Sequence, residues 1–278
     1  MKPGVRTTGR YIARGLTAAF AAALLCGLGT GCRRAAPEGR TTVNVCLHGG
    51  AERPLTLYEL RANTGTVTIE TRRLDKRGEG RFRFKNDSLS LFVLQTEAAD
   101  SNAVGAPTPL VLFPAVGGTL TVEADYADLV GSAHINDAAG VADSLHILPF
   151  QRAQQATERL NREAADYWTG VRYAADARHL YDSLVESLDR CYRAQKAESV
   201  RLAARYPNTL IPVYLAQLSF GNRPLFDPQD PDDLRLLSDW AAAMRRTLPG
   251  NPHVNRFSNN IERLEQLQRL QALQRERK

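Results

Sequence analysis

Cysteine and histidine are the side chains with the broadest chemistry at neutral pH, and this chain has four of the first and five of the second. The most pointed is Cys32, which directly follows Gly29-Thr30-Gly31. A lipoprotein peptidase needs small side chains at its cleavage site and a thiol to carry diacylglycerol, and this tetrapeptide offers both. Cys26 follows Leu24 and Leu25, which are too bulky. Upstream, Lys2, Arg6, Arg10 and Arg14 form a basic segment without an acid, followed by the apolar run 16–28. Residues 1–31 therefore read as a lipoprotein signal peptide and Cys32 as the lipidated residue. A spanning helix wants about 20 apolar residues, and this run is shorter and broken by glycine. Two or three acyl chains on Cys32 would hold the mature protein stably on a membrane.

Cys46 and Cys191 are the thiols left to the mature chain. In an exported compartment they allow one disulfide, between a predicted strand and a predicted helix. The simpler reading leaves them as separate buried thiols, because Cys191 falls on the apolar stripe of its helix. Cys46 and His48 share a strand face, and such a pair could be a thiolate with its base or two metal ligands. Neither a third ligand nor an orienting acid accompanies them. His134, His146, His179 and His253 are scattered singly, outside any zinc spacing. Asp227, Asp230, Asp232 and Asp233 make the densest acidic cluster, but Pro228 and Pro231 interrupt it and no calcium-loop alternation is present. Helix capping accounts for these acids better. The sequence contains no nucleophile elbow, phosphate loop or dinucleotide fingerprint. The expectation is no catalytic residue, no metal and no cofactor.

Charge excludes another class. Residues 1–31 hold four of the 36 basic residues and none of the 30 acidic ones, so a net charge of +6 falls to +2 once they are removed. The pI of 9.3 is largely a property of the leader, and a nucleic-acid-binding function loses its electrostatic basis.

The elements that would carry these residues fall into two halves. Residues 33–40 are small, polar and proline-containing, a tether that follows Cys32. Alternating runs then recur at 41–48, 55–61, 66–74, 80–85, 89–96, 109–113 and 119–124, with turn residues such as Asn63-Thr64-Gly65, Lys76-Arg77-Gly78 and Gly117-Gly118 between them. Residues 41–136 are expected to form an antiparallel β-sandwich or barrel of seven to eight strands with meander connections. From 137 to 278 the period becomes helical, giving an α+β chain that ends in a helical bundle. Helices are expected over 141–168, kinked or restarted at Pro149, over 174–206 and over 209–218. A fourth opens at Asp230-Pro231 and closes at Pro249-Gly250, and the last runs from Asn251-Pro252. Ile261, Leu264, Leu267, Leu270 and Leu273 on that last helix, spaced by threes, should form a broad face against the bundle.

The order of parts is a lipoprotein signal, a strand-rich region, a Val130-Gly131-Ser132 step, long helices and Tyr206-Pro207-Asn208-Thr209 before a helix. It resembles the N-terminal module of unknown function that precedes the thioredoxin-like domain in Bacteroidota lipoproteins related to TlpA-type thiol-disulfide reductases. The likeness covers residues 41 to about 260 by pattern. In that family the redox chemistry belongs to a Trp-Cys-x-x-Cys motif in the C-terminal domain, and no such motif occurs up to Lys278. The resemblance implies the fold and the address without the reductase activity. Asp-Ser-Leu, at Asp87, Asp143 and Asp182, matches a short O-glycosylation pattern of the same bacterial group, and Ser88 is the copy expected in an exposed loop.

The resulting expectation is a non-enzymatic, lipid-anchored envelope module that presents a surface to a protein or small ligand. Arg33-Arg34 after the lipidated cysteine, in place of an acidic tract, points to the outer membrane facing the periplasm. Two alternatives are an accessory of thiol-disulfide metabolism that docks a thioredoxin-like partner and a structural protein that assembles through its C-terminal helix.

Overall fold

The computed structural model describes residues 40–97, 108–137, 143–171, 177–221 and 223–276. Cys32, the leader and the tether up to residue 39 lie outside them, and Arg40, expected in the tether, opens the first strand. Residues Ala36–Lys278 form one compact unit. The chain is α+β, and all seven alternating runs are strands: β1 (Arg40–His48), β2 (Pro54–Arg61), β3 (Gly65–Arg73), β4 (Glu79–Lys85), β5 (Leu91–Thr96), β6 (Leu110–Leu112) and β7 (Thr119–Asp125). An eighth, β8 (His134–Asp137), follows the single helical turn α1 (Leu129–Ser132).

The strands form two open four-stranded sheets, β4-β1-β7-β8 and β3-β2-β5-β6. Two expectations are corrected here. β1 and β7 pair in parallel, from Thr42 opposite Thr119 to His48 opposite Asp125, so the sheets are not wholly antiparallel. The connections are not a meander either, because Lys76-Arg77-Gly78 leads from the edge of one sheet to the edge of the other. That corner is built locally: Asp75 Oδ1 accepts from the backbone N–H of Arg77 and of Glu79, each at 2.8 Å. Gly78 has φ of +77°, and a Cβ there would lie 2.2 Å from the Leu47 carbonyl oxygen. Only glycine satisfies both demands.

Alternation explains the first hydrophobic cluster. Val43, Val45 and Leu47 of β1 meet Phe82 and Phe84 of β4, Leu120 and Val122 of β7, and Leu55, Leu57, Leu94, Leu110 and Leu112 from the second sheet. The second sheet is also covered on its other face. Leu91, Val111 and Phe113 belong to a second cluster with Ile147, Phe150, Tyr192, Ile211, Trp240 and Met244 from the helices. Burial on both faces is why β5 reads Leu-Phe-Val-Leu without alternation.

The helical half contains α2 (Asp143–Val171), α3 (Ala177–Arg205), α4 (Ile211–Leu215), α5 (Pro231–Thr247) and α6 (Pro252–Glu276). Pro149 lies inside α2, whose assignment continues through it. A two-residue ribbon, β9 (Ser219–Phe220) with β10 (Arg223–Pro224), precedes α5. Asp230 caps α5 by accepting from Asp232 N–H at 2.9 Å, with Pro231 in the first turn and Arg245 and Arg246 in the last. The broad-face expectation for α6 holds only for its first half. Ile261 is buried and Leu264 half-buried, whereas Leu267, Leu270 and Leu273 are 48%, 57% and 52% exposed. Among the described residues, no helix is long and apolar enough to cross a membrane.

Candidate functional site

The polar constellation with the most chemical content lies where the second sheet meets α6. Asn251 caps that helix, its Oδ1 accepting from His253 N–H at 2.9 Å and Val254 N–H at 3.3 Å. The same side chain donates through Nδ2 to the Leu89 carbonyl at 2.9 Å, which fixes the strand entering β5. This clamp brings Ser90 beside His253, with Oγ 3.3 Å from Nε2. Ser90 Oγ also donates to Glu59 Oε1 at 3.1 Å, and Glu59 Oε2 accepts from Arg61 Nε at 2.6 Å. Ser90 is 5% exposed and His253 8%. A cavity of about 440 Å³ adjoins His253, lined also by Arg61, Thr66, Gln217, Arg256 and Asn260 among others.

Counting protons decides what this arrangement can do. Ionised Glu59 can only accept, so it takes the hydroxyl proton of Ser90. His253 Nε2 must then carry a proton and donate to Ser90 Oγ. Burial lowers the His253 pKa, with Glu59 opposing and Arg256 reinforcing the shift, which disfavours the charged ring. A catalytic serine needs the reverse: the imidazole accepts the hydroxyl proton and the acid stands behind the imidazole. Here the carboxylate stands behind the serine. The order acid, hydroxyl, imidazole makes a polar clamp between β2, β5 and α6, not an activated nucleophile.

The residues singled out by sequence lie elsewhere. Cys46 is half-buried on the outward side of β1, with Glu79 and Glu123 as cross-strand neighbours. Burial raises its pKa, and Glu79, Glu123 and Asp75 raise it further, which keeps the sulfur protonated and weakly nucleophilic. His48 Nε2 is 3.2 Å from Glu123 Oε1, so the ring of His48 is engaged by a carboxylate. Cys191 is half-buried on α3, and both cysteines are free thiols. Ser88 is exposed in the loop between β4 and β5, beside Asp87, which pairs with Lys85 at 2.8 Å. The other two Asp-Ser-Leu copies lie within α2 and α3.

Among the described residues, no group of three or more histidines, cysteines or carboxylates is arranged to hold a metal. The aspartate cluster is used internally. Asp227 Oδ1 accepts from Gln229 N–H, Asp230 caps α5, and Asp233 takes the Lys196 ammonium at 2.6 Å together with Asp227 N–H at 2.9 Å.

Sequence reasoning missed both the Glu59–Ser90–His253 clamp and the Lys196–Asp233 pair. Ser90 and His253 are 163 positions apart, and no local pattern marks either. No protein-family model matches the chain, and no curated protein matches it either.

Proposed function

We propose that this chain is a non-enzymatic, lipid-anchored module of the cell envelope, and that its helical half presents a docking face to a protein partner. The anchor is Cys32, and the module is a β-sandwich whose two sheets share one cluster, followed by the helical bundle. One observation carries the docking reading. Leu267, Leu270 and Leu273 of α6 are each about half exposed, and Leu264 and Leu267 flank a groove of about 490 Å³ with Pro228 and Pro231 on its other wall. Large aliphatic side chains clustered in the open on one helix mark an interaction surface rather than random exposure. The reversed order of the Ser90 contacts and the protonated state of Cys46 favour binding over covalent chemistry.

A photo-crosslinking residue at position 270, introduced in cells, tests this. A discrete adduct heavier than the chain, absent when the crosslinker sits at exposed position 235, is the expected outcome. An adduct of twice the chain's mass would redirect the reading to self-assembly through α6. A thioredoxin-like protein in the adduct would support the accessory role in thiol-disulfide metabolism, and absence of any adduct would sink the docking face.

A further inference from the structure

The outward side of the first sheet changes sign along its length. Its cross-strand rows run, from the start of β1, Arg40 with Lys85, Thr42 with Arg83 and Thr119, and Asn44 with Arg81 and Thr121. They continue with Cys46 between Glu79 and Glu123, and end with His48 beside Asp125. Arg40, Arg81, Arg83 and Lys85 are exposed at one end, and Glu79, Glu123 and Asp125 at the other. The basic end is poorly neutralised. Arg81 Nε donates to the neutral Asn44 Oδ1 at 2.8 Å, and Arg40 and Arg83 make no ion pair among the described residues. Lys85 meets Asp87, but both side chains are largely exposed, so that pair contributes little.

An apolar contact point sits at the same end. Thr41, fully buried, donates to the Ala115 carbonyl at 3.3 Å and accepts from Gly117 N–H at 3.1 Å. Thr42 N–H bonds Gly118 O at 2.9 Å. These bonds pin the loop between β6 and β7 beside the start of β1, and that loop carries Val116, 44% exposed.

We propose that the Arg40 end of the first sheet is a contact surface for anionic lipid headgroups, which orients the domain with Val116 and the basic side chains toward the membrane. The proximity, though not the chemistry, rests on the acyl anchor at Cys32. Arg40 is eight positions after Cys32, so the chain between them can span at most about 28 Å even if fully extended. The acids oppose the contact only at its inner row. The Thr42–Arg83 row lies four strand positions from the acidic row at Cys46, about 13 Å and beyond the screening length of about 8 Å at physiological salt, whereas the Asn44–Arg81 row, two positions away at about 7 Å, is partly offset by Glu79. Basic residues on β4 would also discourage edge-to-edge pairing. That role explains neither Arg40 and Val116 at the same end nor the acids gathered at the other.

The test takes the mature protein isolated from envelopes and reconstitutes it with phosphatidylcholine vesicles, with and without phosphatidylglycerol. Backbone hydrogen exchange and co-flotation are then compared. Expected is slower exchange at residues 81–85 and 114–118 on the anionic vesicles alone, abolished by high salt and by R81Q/R83Q/K85Q, with residues 121–125 unchanged. Each basic side chain near a charged surface is worth about fivefold in partition, so the triple variant should lose about a hundredfold of any anchor-independent retention. These positions are exposed, so the variant keeps its fold, and the salt titration needs no variant. Equal exchange on both lipids overturns the proposal. Failure to float with neutral vesicles would sink the acyl anchor instead. In that case, retention on phosphatidylglycerol alone would still uphold the surface, and retention on neither would overturn it.

Discussion

The side-chain amide of Gln151 completes the free edge of the second sheet at Val111. Its Oε1 accepts the Val111 N–H and its Nε2 donates to the Val111 C=O, both at 2.9 Å. Val111 stands opposite Val93 in an antiparallel pair with both its backbone groups turned away from β5, and β6 is the last strand of that sheet. A glutamine at the start of a helix thus does the work of a neighbouring strand. It closes an edge that would otherwise carry buried unpaired backbone groups and invite pairing with another chain. Next to it, Arg152 donates to the Val130 and Ala133 carbonyls, and Gln155 Nε2 donates to Asp128 Oδ1 at 2.8 Å. Three polar residues within five positions of α2 therefore fasten it to β6 and to the α1 segment between β7 and β8.

Gln151→Met keeps the length of the side chain and removes both bonds. A buried backbone group left without a partner costs about 1–3 kcal/mol, and two are exposed to that loss. The variant should lose about 2–4 kcal/mol in urea unfolding, with greater aggregation during refolding. A loss below about 0.5 kcal/mol, the level of an ordinary surface change, would show that water replaces the amide.

Alternation made the strands legible, and the caps and breakers at Asp230-Pro231 and Pro249-Gly250 made α5 legible, because both signals are local. Pairing is not local. Nothing within β1 states that its parallel neighbour is β7, whose residues lie more than seventy positions away, and Lys76-Arg77-Gly78 has the same composition whether it closes a hairpin or turns a corner between sheets. The outward leucines of α6 are not legible in sequence, because spacing by threes defines a face without saying whether anything covers it. The clamp residues Glu59, Ser90 and His253 share no motif and are brought together only by the docking of α6 on the second sheet.

His253 gives the fold a pH dependence whose direction follows from burial. Its folded-state pKa lies below the ordinary imidazole value, chiefly through desolvation. Glu59 on β2 opposes the shift and Arg256 on α6 adds to it. In the window between the two values the unfolded chain binds a proton that the folded one refuses, so stability rises with pH there. It should be fully present above about pH 6.5, the unfolded histidine pKa, and decline as pH falls toward the folded value. Chemical-denaturation midpoints of wild type and His253→Gln between neutral and mildly acidic pH provide the check. The variant should show a shallower decline. Parallel curves would assign the acid sensitivity to other groups.

Cys46 should react slowly for an accessible thiol. Burial comes first among the causes, followed by Glu79 and Glu123 on the adjacent strands and by Asp75, and all of them disfavour the thiolate. The midpoint of iodoacetamide alkylation against pH, followed at Cys46 by peptide mass spectrometry, should lie above that of an unperturbed cysteine, about 8.5. Removing the two cross-strand charges in E79Q/E123Q should move it down and raise the rate at neutral pH several-fold. An unchanged midpoint would mean that burial alone sets the reactivity.

Asp233 is the one buried carboxylate among the described residues. It is 6% exposed, it neutralises Lys196 from α3, and it accepts the Asp227 N–H that shapes the turn before α5. Lys196 also lies 5.6 Å from the centre of the Phe226 ring, so its charge is held between a carboxylate and an aromatic face. Asp233→Ala leaves that ammonium and the backbone donor without their acceptor, and breaking a buried pair from one side costs about 3–5 kcal/mol. Lys196 keeps 28% of its side chain exposed, so water recovers part of that, and the expected loss is about 2–3 kcal/mol. The double variant D233A/K196M removes both charges and should recover part of the stability, because no buried ion is then left alone. If the double variant is as unstable as D233A, the bond to Asp227 N–H that shapes the turn before α5, rather than the ion pair to α3, carries the stability.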